Sequence, residues 1–283
     1  MNVIDLHHMG NEKTIASYVL DTDDGPALFD CGPATCIDAL KAGLDEHGLA
    51  LTDMRHLLLS HIHLDHAGAA GSLVREHPSL QVHVSGIGAP HLVDPSRLER
   101  SARRLYGDSF DTLWGELAPV PEANVHVVGD LVLGLECFPT PGHATHHVCY
   151  LDRDGTLYAG DAAGVRIEPG RFVMPPTPPP EFDLETWQQT LEEIERRDPE
   201  RLALIHWGVA HDVRRHLADL RLELYEWTDT IRGGADLEEF VEYVKLELDD
   251  AGEDTGAYDL AMPLWQSYQG LKRWAERQNR SQD

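Results

Sequence analysis

Lysine is scarce in this chain. Lys13, Lys41, Lys245 and Lys272 are the only four in 283 residues, and with arginine they make 23 bases against 49 acids, a formal charge of −26. Affinity for nucleic acid rests on Lys and Arg neutralising phosphates, so neither nucleic acid nor an anionic membrane is expected as a partner. Cysteine is as rare. Cys31, Cys36, Cys137 and Cys149 form no Cys-x-x-Cys pair and are too few for a disulfide framework, which fits a reduced compartment. No apolar run approaches the roughly 18 residues of a membrane span. The opening Met1-Asn-Val-Ile-Asp-Leu-His-His lacks the basic and apolar stretches of a secretory signal. A cytoplasmic location is the resulting expectation. With 42% hydrophobic residues the chain has enough apolar mass for a large core, alone or with an appendage.

What the sequence has in excess is histidine, 17 residues unevenly spread. Residues 15–32 read as a hairpin, two apolar runs around Asp23-Asp24-Gly25-Pro26. Residues 35–47 have helical spacing at Ile37, Leu40 and Leu44, and residues 55–60 form a short buried strand. Residues 81–85 alternate as a strand, and residues 92–117 suggest one or two helices carrying Arg97, Arg100, Arg103, Arg104 and Tyr106. Strands are expected again at 124–128, 131–138, 147–151 and 156–159. The proline run 175–180 breaks regular structure. Beyond it come a helix over 184–197 capped by Asp183 and a strand over 201–206. A second helix capped by Asp212 follows, its apolar residues (Val213, Leu217, Leu220, Leu224, Trp227, Ile231) stepping by four and three. Further helices are expected at 236–248 and around Leu264, Tyr268, Leu271 and Trp274. This gives a catalytic-type α+β region over 1–210 and a helical extension over 211–283.

The informative segment is Ser60-His61-Ile62-His63-Leu64-Asp65-His66, with four potential metal ligands in six positions directly after a buried strand. Each would be costly to bury unpaired, so a structural role does not account for the density. His61 and His63 are placed to converge on one metal, and Asp65 and His66 to face another. Nitrogen and carboxylate donors suit zinc, and also iron or manganese. Three further strand ends supply partners: His143 in Thr140-Pro-Gly-His143, Asp161 after strand 156–159, and His206 after Leu202-Ala-Leu-Ile.

The string His61-x-His63-x-Asp65-His66, followed in order by His143, Asp161 and His206, resembles the metallo-β-lactamase superfamily in its hydrolytic form. Leu28-Phe-Asp30-Cys-Gly32 is similar to that family's early Asp-x-Gly strand end, and the likeness extends over residues 12–210. It implies an αββα sandwich with a C-terminal helical extension and two divalent metals at one edge of the sheets, zinc above all. By this resemblance His61, His63 and His143 would hold the first metal, Asp65, His66 and His206 the second, and Asp161 would bridge them. Two cations roughly 3.5–4 Å apart share a hydroxide, because bound water's pKa falls from 15.7 to about 7. Asp65 would take a proton or orient that nucleophile, and Asp30 would pair the far nitrogen of a ligand histidine.

The implied activity is hydrolysis of a small-molecule ester, thioester or lactone. Zinc β-lactamases of the superfamily usually carry cysteine or histidine where Asp161 stands, so antibiotic hydrolysis is not expected. Asp161 resembles the glyoxalase II, lactonase and phosphodiesterase branches. No basic cluster follows His206 as in glyoxalase II, and no His-x-Thr element as in the tRNA-processing branch. Residues 91–107 resemble a poorly characterised bacterial branch. A phosphodiesterase or nuclease on the same metal pair, and a mononuclear-iron persulfide dioxygenase, stand as alternatives.

Other histidines read as bystanders. His146 and His147 are expected behind the site or in a strand core, His7 and His8 as structural or solvent-facing, and His77, His126 and His216 as surface residues. His211 is a candidate for reaching substrate, and Arg103, Arg104 and Tyr106 for lining its pocket. The proline run is expected at the rim of the site. The helical tail's apolar stripes suit core packing, a homodimer contact or a cap over the metals.

Overall fold

Parallel pairing of the strands at 25–29, 56–58, 81–84 and 125–127 puts their carboxyl ends, and the loops those ends lead into, at one end of a sheet. The computed structural model describes residues 1–282, with side chains for 1–280. The chain is mixed α+β and forms two compact units: Met1–Pro139 with His146–Asp154, and Thr140–Thr145 with the chain from Gly155 onward.

In the first unit, β1 (Asn2–Asp5) lies antiparallel to β2 (Ala16–Thr22), which turns tightly into β3 (Gly25–Phe29). The expected hairpin is present. From β3 the sheet continues in parallel through β4 (His56–Leu58), β5 (Gln81–Val84) and β6 (Val125–Val127). Helices α1 (Ile37–Glu46), α2 (Leu64–Ala67), α3 (Ala70–Glu76), α4 (Ala89–Val93), α5 (Ser96–Tyr106) and α6 (Phe110–Trp114) fill the connections. Strands β7 (Leu131–Val132), β8 (Leu135–Pro139) and β9 (Val148–Leu151) form an antiparallel meander. Phe29 pairs with Leu58, so Asp30 and the histidine-rich segment leave the sheet side by side.

In the second unit, β10 (Thr156–Tyr158) runs parallel to β11 (Arg201–Leu204), and β12 (Gly208–Ala210) returns antiparallel. The parallel register, Tyr158 opposite Ala203, places Asp161 and His206 at the same end. Around these strands stand α7 (Leu184–Arg197), α8 (Val213–Arg232), α9 (Leu237–Ala251), α10 (Thr255–Ala261) and α11 (Leu264–Gln282). Every apolar residue of the four–three stripe on α8 is buried, each side chain worth about 1.5–3 kcal/mol of transfer free energy. Asp183 caps α7 as expected, its carboxylate accepting from Thr186 N. Asp212 does not cap α8. Its carboxylate accepts instead from Arg166 Nη1 at 2.7 Å, a charge-assisted bond that outcompetes a neutral cap. Helix α10 is an element the apolar spacing does not reveal, being one of seven residues.

A ladder of histidines crosses the first unit's sheet. His56 on β4, His83 on β5 and His126 on β6 share a face. His56 Nε2 donates to Asp24 Oδ2 at 3.2 Å, so its Nδ1 accepts from His83 Nε2 at 3.1 Å. His126 Nε2 donates to Gln81 Oε1 and its ring stacks on His83, 5.2 Å between centroids. Burial, with His56 and His126 alongside, pushes His83 down to about 4, and burial lowers His56 despite Asp24. The unfolded chain therefore takes up protons first, near the ordinary histidine value of about 6.5. Stability is complete above that pH and drains away as pH falls toward 4. For His83 alone the loss between pH 8 and pH 5 is about 2 kcal/mol. Urea unfolding at the two pH values is expected to show the wild type losing that much more than His83→Gln; equal losses would mean that the ladder is not titrating.

Candidate metal centre

The first unit carries four of the expected ligands on one short segment. After β4, Leu59 and Ser60 lead to His61, which is fully buried. His63 is the residue before α2, and Asp65 and His66 lie in that helix's single turn. Ser60 and the distant Asp30 set the rings. Asp30 is wholly buried, and its carboxylate accepts from Ser60 N at 2.7 Å, Ser60 Oγ at 2.6 Å and His66 Nδ1 at 2.7 Å. With the Ser60 hydroxyl proton directed at Asp30, Ser60 Oγ accepts from His61 Nδ1 at 2.9 Å. One carboxylate thus fixes the tautomers of two histidines, with the proton on Nδ1 and the Nε2 lone pair turned away from Asp30. Burial raises the Asp30 carboxyl above its ordinary value, while His66 and Ser60 pull it back.

His61 Nε2 lies 2.9 Å from His63 Nδ1, and His66 Nε2 lies 3.6 Å from Asp65 Oδ2. His146 stacks on His61 with 5.8 Å between centroids, and the His147 ring lies 4.9 Å from it, so both pack beside the His61 ring.

The second unit carries the other three. Gly142, at φ 133°, brings its loop so close to α7 that a Cβ there would sit 2.4 Å from Trp187 Cα. His143 follows, buried, with Nδ1 donating to the Pro176 carbonyl at 2.8 Å. The proline run thereby holds the His143 ring. Asp161 is 1% exposed, and its two oxygens face different histidines: Oδ2 is 3.3 Å from His143 Nε2, and Oδ1 is 3.7 Å from His206 Nε2. Trp187 Nε1 donates to Ala162 O at 2.8 Å, pinning the segment that carries Asp161.

Arg166 organises the same end. Its N–H donates to His206 O and its carbonyl accepts from Trp207 N, while its guanidinium reaches Asp212 Oδ1 and, at 3.4 Å, His216 Nδ1. His216 is not a surface residue. It is fully buried, Nε2 donating to Ala163 O at 2.7 Å, and burial pushes it down to about 4, which keeps the ring neutral. The α8 spacing places His216 one position before Leu217, at the margin of the buried stripe, which was the available signal. Ser60 and Arg166 had none, because the carboxylates they meet, Asp30 and Asp212, lie 30 and 46 residues away. His8 is buried as well, stacked on Trp114, whereas His211 is exposed.

Within each unit the donor atoms stand 2.9–3.7 Å apart. Two ligands at the usual zinc–nitrogen length, about 2.0–2.1 Å, subtend an edge of roughly 3.3 Å in a tetrahedron. His61, His66 and His143 also have the nitrogen opposite the donor held by a hydrogen bond, as ligand histidines do. Both donor sets therefore fit divalent metal.

A sequence model of the metallo-beta-lactamase superfamily matches residues 10–206. Metallo-beta-lactamase fold-containing protein ST1585 of Sulfurisphaera tokodaii is 27% identical over 168 residues, covering 56% of this chain and 62% of that protein. Thioesterase pkgB of Emericella nidulans is 26% identical over 149 residues, 51% of this chain and 34% of its own length. The chain thus spans under two thirds of the length of these relatives. Among solved structures, the metallo-beta-lactamase family protein TTHA1429 of Thermus thermophilus superposes with a TM-score of 0.69 at 20% identity, covering 94% of this chain and 89% of that one, and so shares the fold. With most of its length matched by the family model, this chain belongs to the metallo-beta-lactamase superfamily.

Proposed function

We propose that the chain is a dinuclear metallohydrolase acting on an ester, thioester or lactone. The observation that carries the reading is Asp161, a buried carboxylate that turns one oxygen to His143 and the other to His206, as a ligand shared by two ions would. In this reading His61, His63 and His143 hold one ion, Asp65, His66 and His206 the other, and Asp161 both. Bound there, divalent ions supply an acidified water and polarise the scissile carbonyl. The remaining work belongs to the chain. Asp30 and Ser60 keep His61 and His66 in the donor tautomer, and the Pro176 carbonyl does so for His143. Asp65 is half-buried, with His66 Nε2 beside one of its oxygens, and in this reading it takes the nucleophile's proton or orients the nucleophile. The name of the relative pkgB favours a thioester among the three substrate classes.

Elemental analysis of protein purified without added metal is expected to give two divalent ions per chain. The preparation should cleave thioesters or lactones faster than bis-p-nitrophenyl phosphate. A single iron per chain with oxygen uptake on glutathione persulfide would replace the hydrolase with a dioxygenase, and faster phosphodiester cleavage would move the substrate class.

A further inference from the structure

The arginines of this acidic chain are as a rule ion-paired. Arg55 meets Asp24, Arg153 meets Asp23, and Arg103 on α5 is held by Glu99 and Asp111. Arg97, Arg100 and Arg104, on the same helix, are exposed, and none has a carboxylate within 4.0 Å among the described residues. Their spacing of three and four puts them on one face of α5. The opposite face, Leu98, Ala102 and Tyr106, packs in the cluster of Leu64 and Phe110. Leu64 stands between the ligand residues His63 and Asp65, so α5 rests directly on the segment that holds the metal donors.

Helix physics alone disfavours this face. Like charges at these spacings repel, and Arg97, the second residue of α5, sits at the end where the macrodipole disfavours a cation. Arg100 bears on the Asp94 carboxylate only through space, and that carboxylate is already engaged by the Ser96 N–H. In a chain with 49 acids, three arginines without a close counterion are a local departure that an anionic ligand would complete.

We propose that this outer face of α5 binds an anionic group of the substrate, phosphate or carboxylate, remote from the scissile bond. The inference rests on the hydrolase reading above. A helix with side chains is about 10 Å across, so the anion would lie on the order of 10 Å from the His63–Asp65 segment. The substrate is then a thioester or ester with a long charged tail rather than a compact neutral lactone.

The test compares three thioesters of one acyl group: butyryl-coenzyme A (phosphates), S-butyrylglutathione (carboxylates) and S-butyryl-N-acetylcysteamine (neutral). Wild-type kcat/KM is expected to favour one of the anionic pair over the neutral compound by about tenfold or more, in keeping with charge-assisted bonds to arginine. Which of the two is favoured names the source of the charge. The triple variant Arg97→Gln, Arg100→Gln, Arg104→Gln should collapse that ratio toward one, mainly through KM, while the ion-paired surface control Arg153→Gln preserves it. Raising salt from 50 to 500 mM should erode the ratio in the wild type. Calorimetric binding of desulfo-coenzyme A and S-butylglutathione gives a readout without turnover. Binding that the triple variant loses supports the anion face even if no thioester is cleaved, in which case only the hydrolase reading fails. Equal kcat/KM for all three compounds, or a triple variant with the wild-type ratio and wild-type binding, overturns the proposal.

Discussion

Asp161→Ala is expected to lower kcat/KM by more than the roughly 10–100-fold typical of removing a residue that backs a metal ligand. It should also reduce the metal content below two ions per chain. The reason is the division of its carboxylate, Oδ2 toward His143 and Oδ1 toward His206. In the proposed dinuclear site alanine would take one donor from each ion at once, whereas loss of any single histidine would take one donor from one ion. Asp161→Asn is the sharper comparison: it keeps the size and one carbonyl oxygen, so the ion near that oxygen is held while the other is weakened. Metal analysis of both variants, alongside activity, checks this. An Asn variant with two tightly held ions and full activity would show that Asp161 does not bridge.

The second large effect is expected at Asp30, and it concerns stability as well as metal. Asp30 sits at φ 50°, fully buried, and accepts three hydrogen bonds from Ser60 and His66. Asparagine tolerates the left-handed backbone, so Asp30→Asn isolates the carboxylate. Its amide nitrogen would face donors where an oxygen now accepts, leaving at least one buried N–H or O–H without an acceptor at a cost of about 1–3 kcal/mol. Asp30→Ala removes every acceptor at once and should cost more than the asparagine, since each buried donor left unmet costs about 1–3 kcal/mol. Urea unfolding midpoints measure both. Metal affinity should fall about 10–100-fold in each variant, because His61 and His66 are no longer confined to the donor tautomer. Variants within a few tenths of a kcal/mol of the wild type would mean that the network does not hold the site together.

Much of the fold was legible because its signals are local. The β2–β3 hairpin, the capped helix α7 and the buried stripe of α8 each follow from residues within a few positions of one another. The candidate ligands were legible for a related reason: each follows a short apolar strand, or opens a loop after one, so their order along the chain announces them. Asp30 was an expected partner of a candidate ligand histidine, and the structure pairs its carboxylate with His66. Asp212 and His216 misled for opposite reasons. Asp212 has the right residue type in the right place for a cap, yet Arg166, 46 residues away, claims its carboxylate. His216 looked like a surface residue because nothing near it in sequence accepts a hydrogen bond, and its acceptor, the carbonyl of Ala163, is 53 residues away.

By itself the sequence determined which side chains are available to bind metal, their order, and the helices and strands whose periodicity is complete within one element. Tertiary structure alone decided which nitrogen of the His61, His66 and His143 rings carries the proton. That depends on Asp30 meeting Ser60 and His66, and on the Pro176 carbonyl meeting His143. It also decided that three arginines of α5 face outward without close counterions while the same helix rests on Leu64. The physical reason is common to both. Helical and strand patterns reflect interactions a few residues apart, whereas tautomer, burial and ion pairing depend on groups that only the folded chain brings within hydrogen-bond reach.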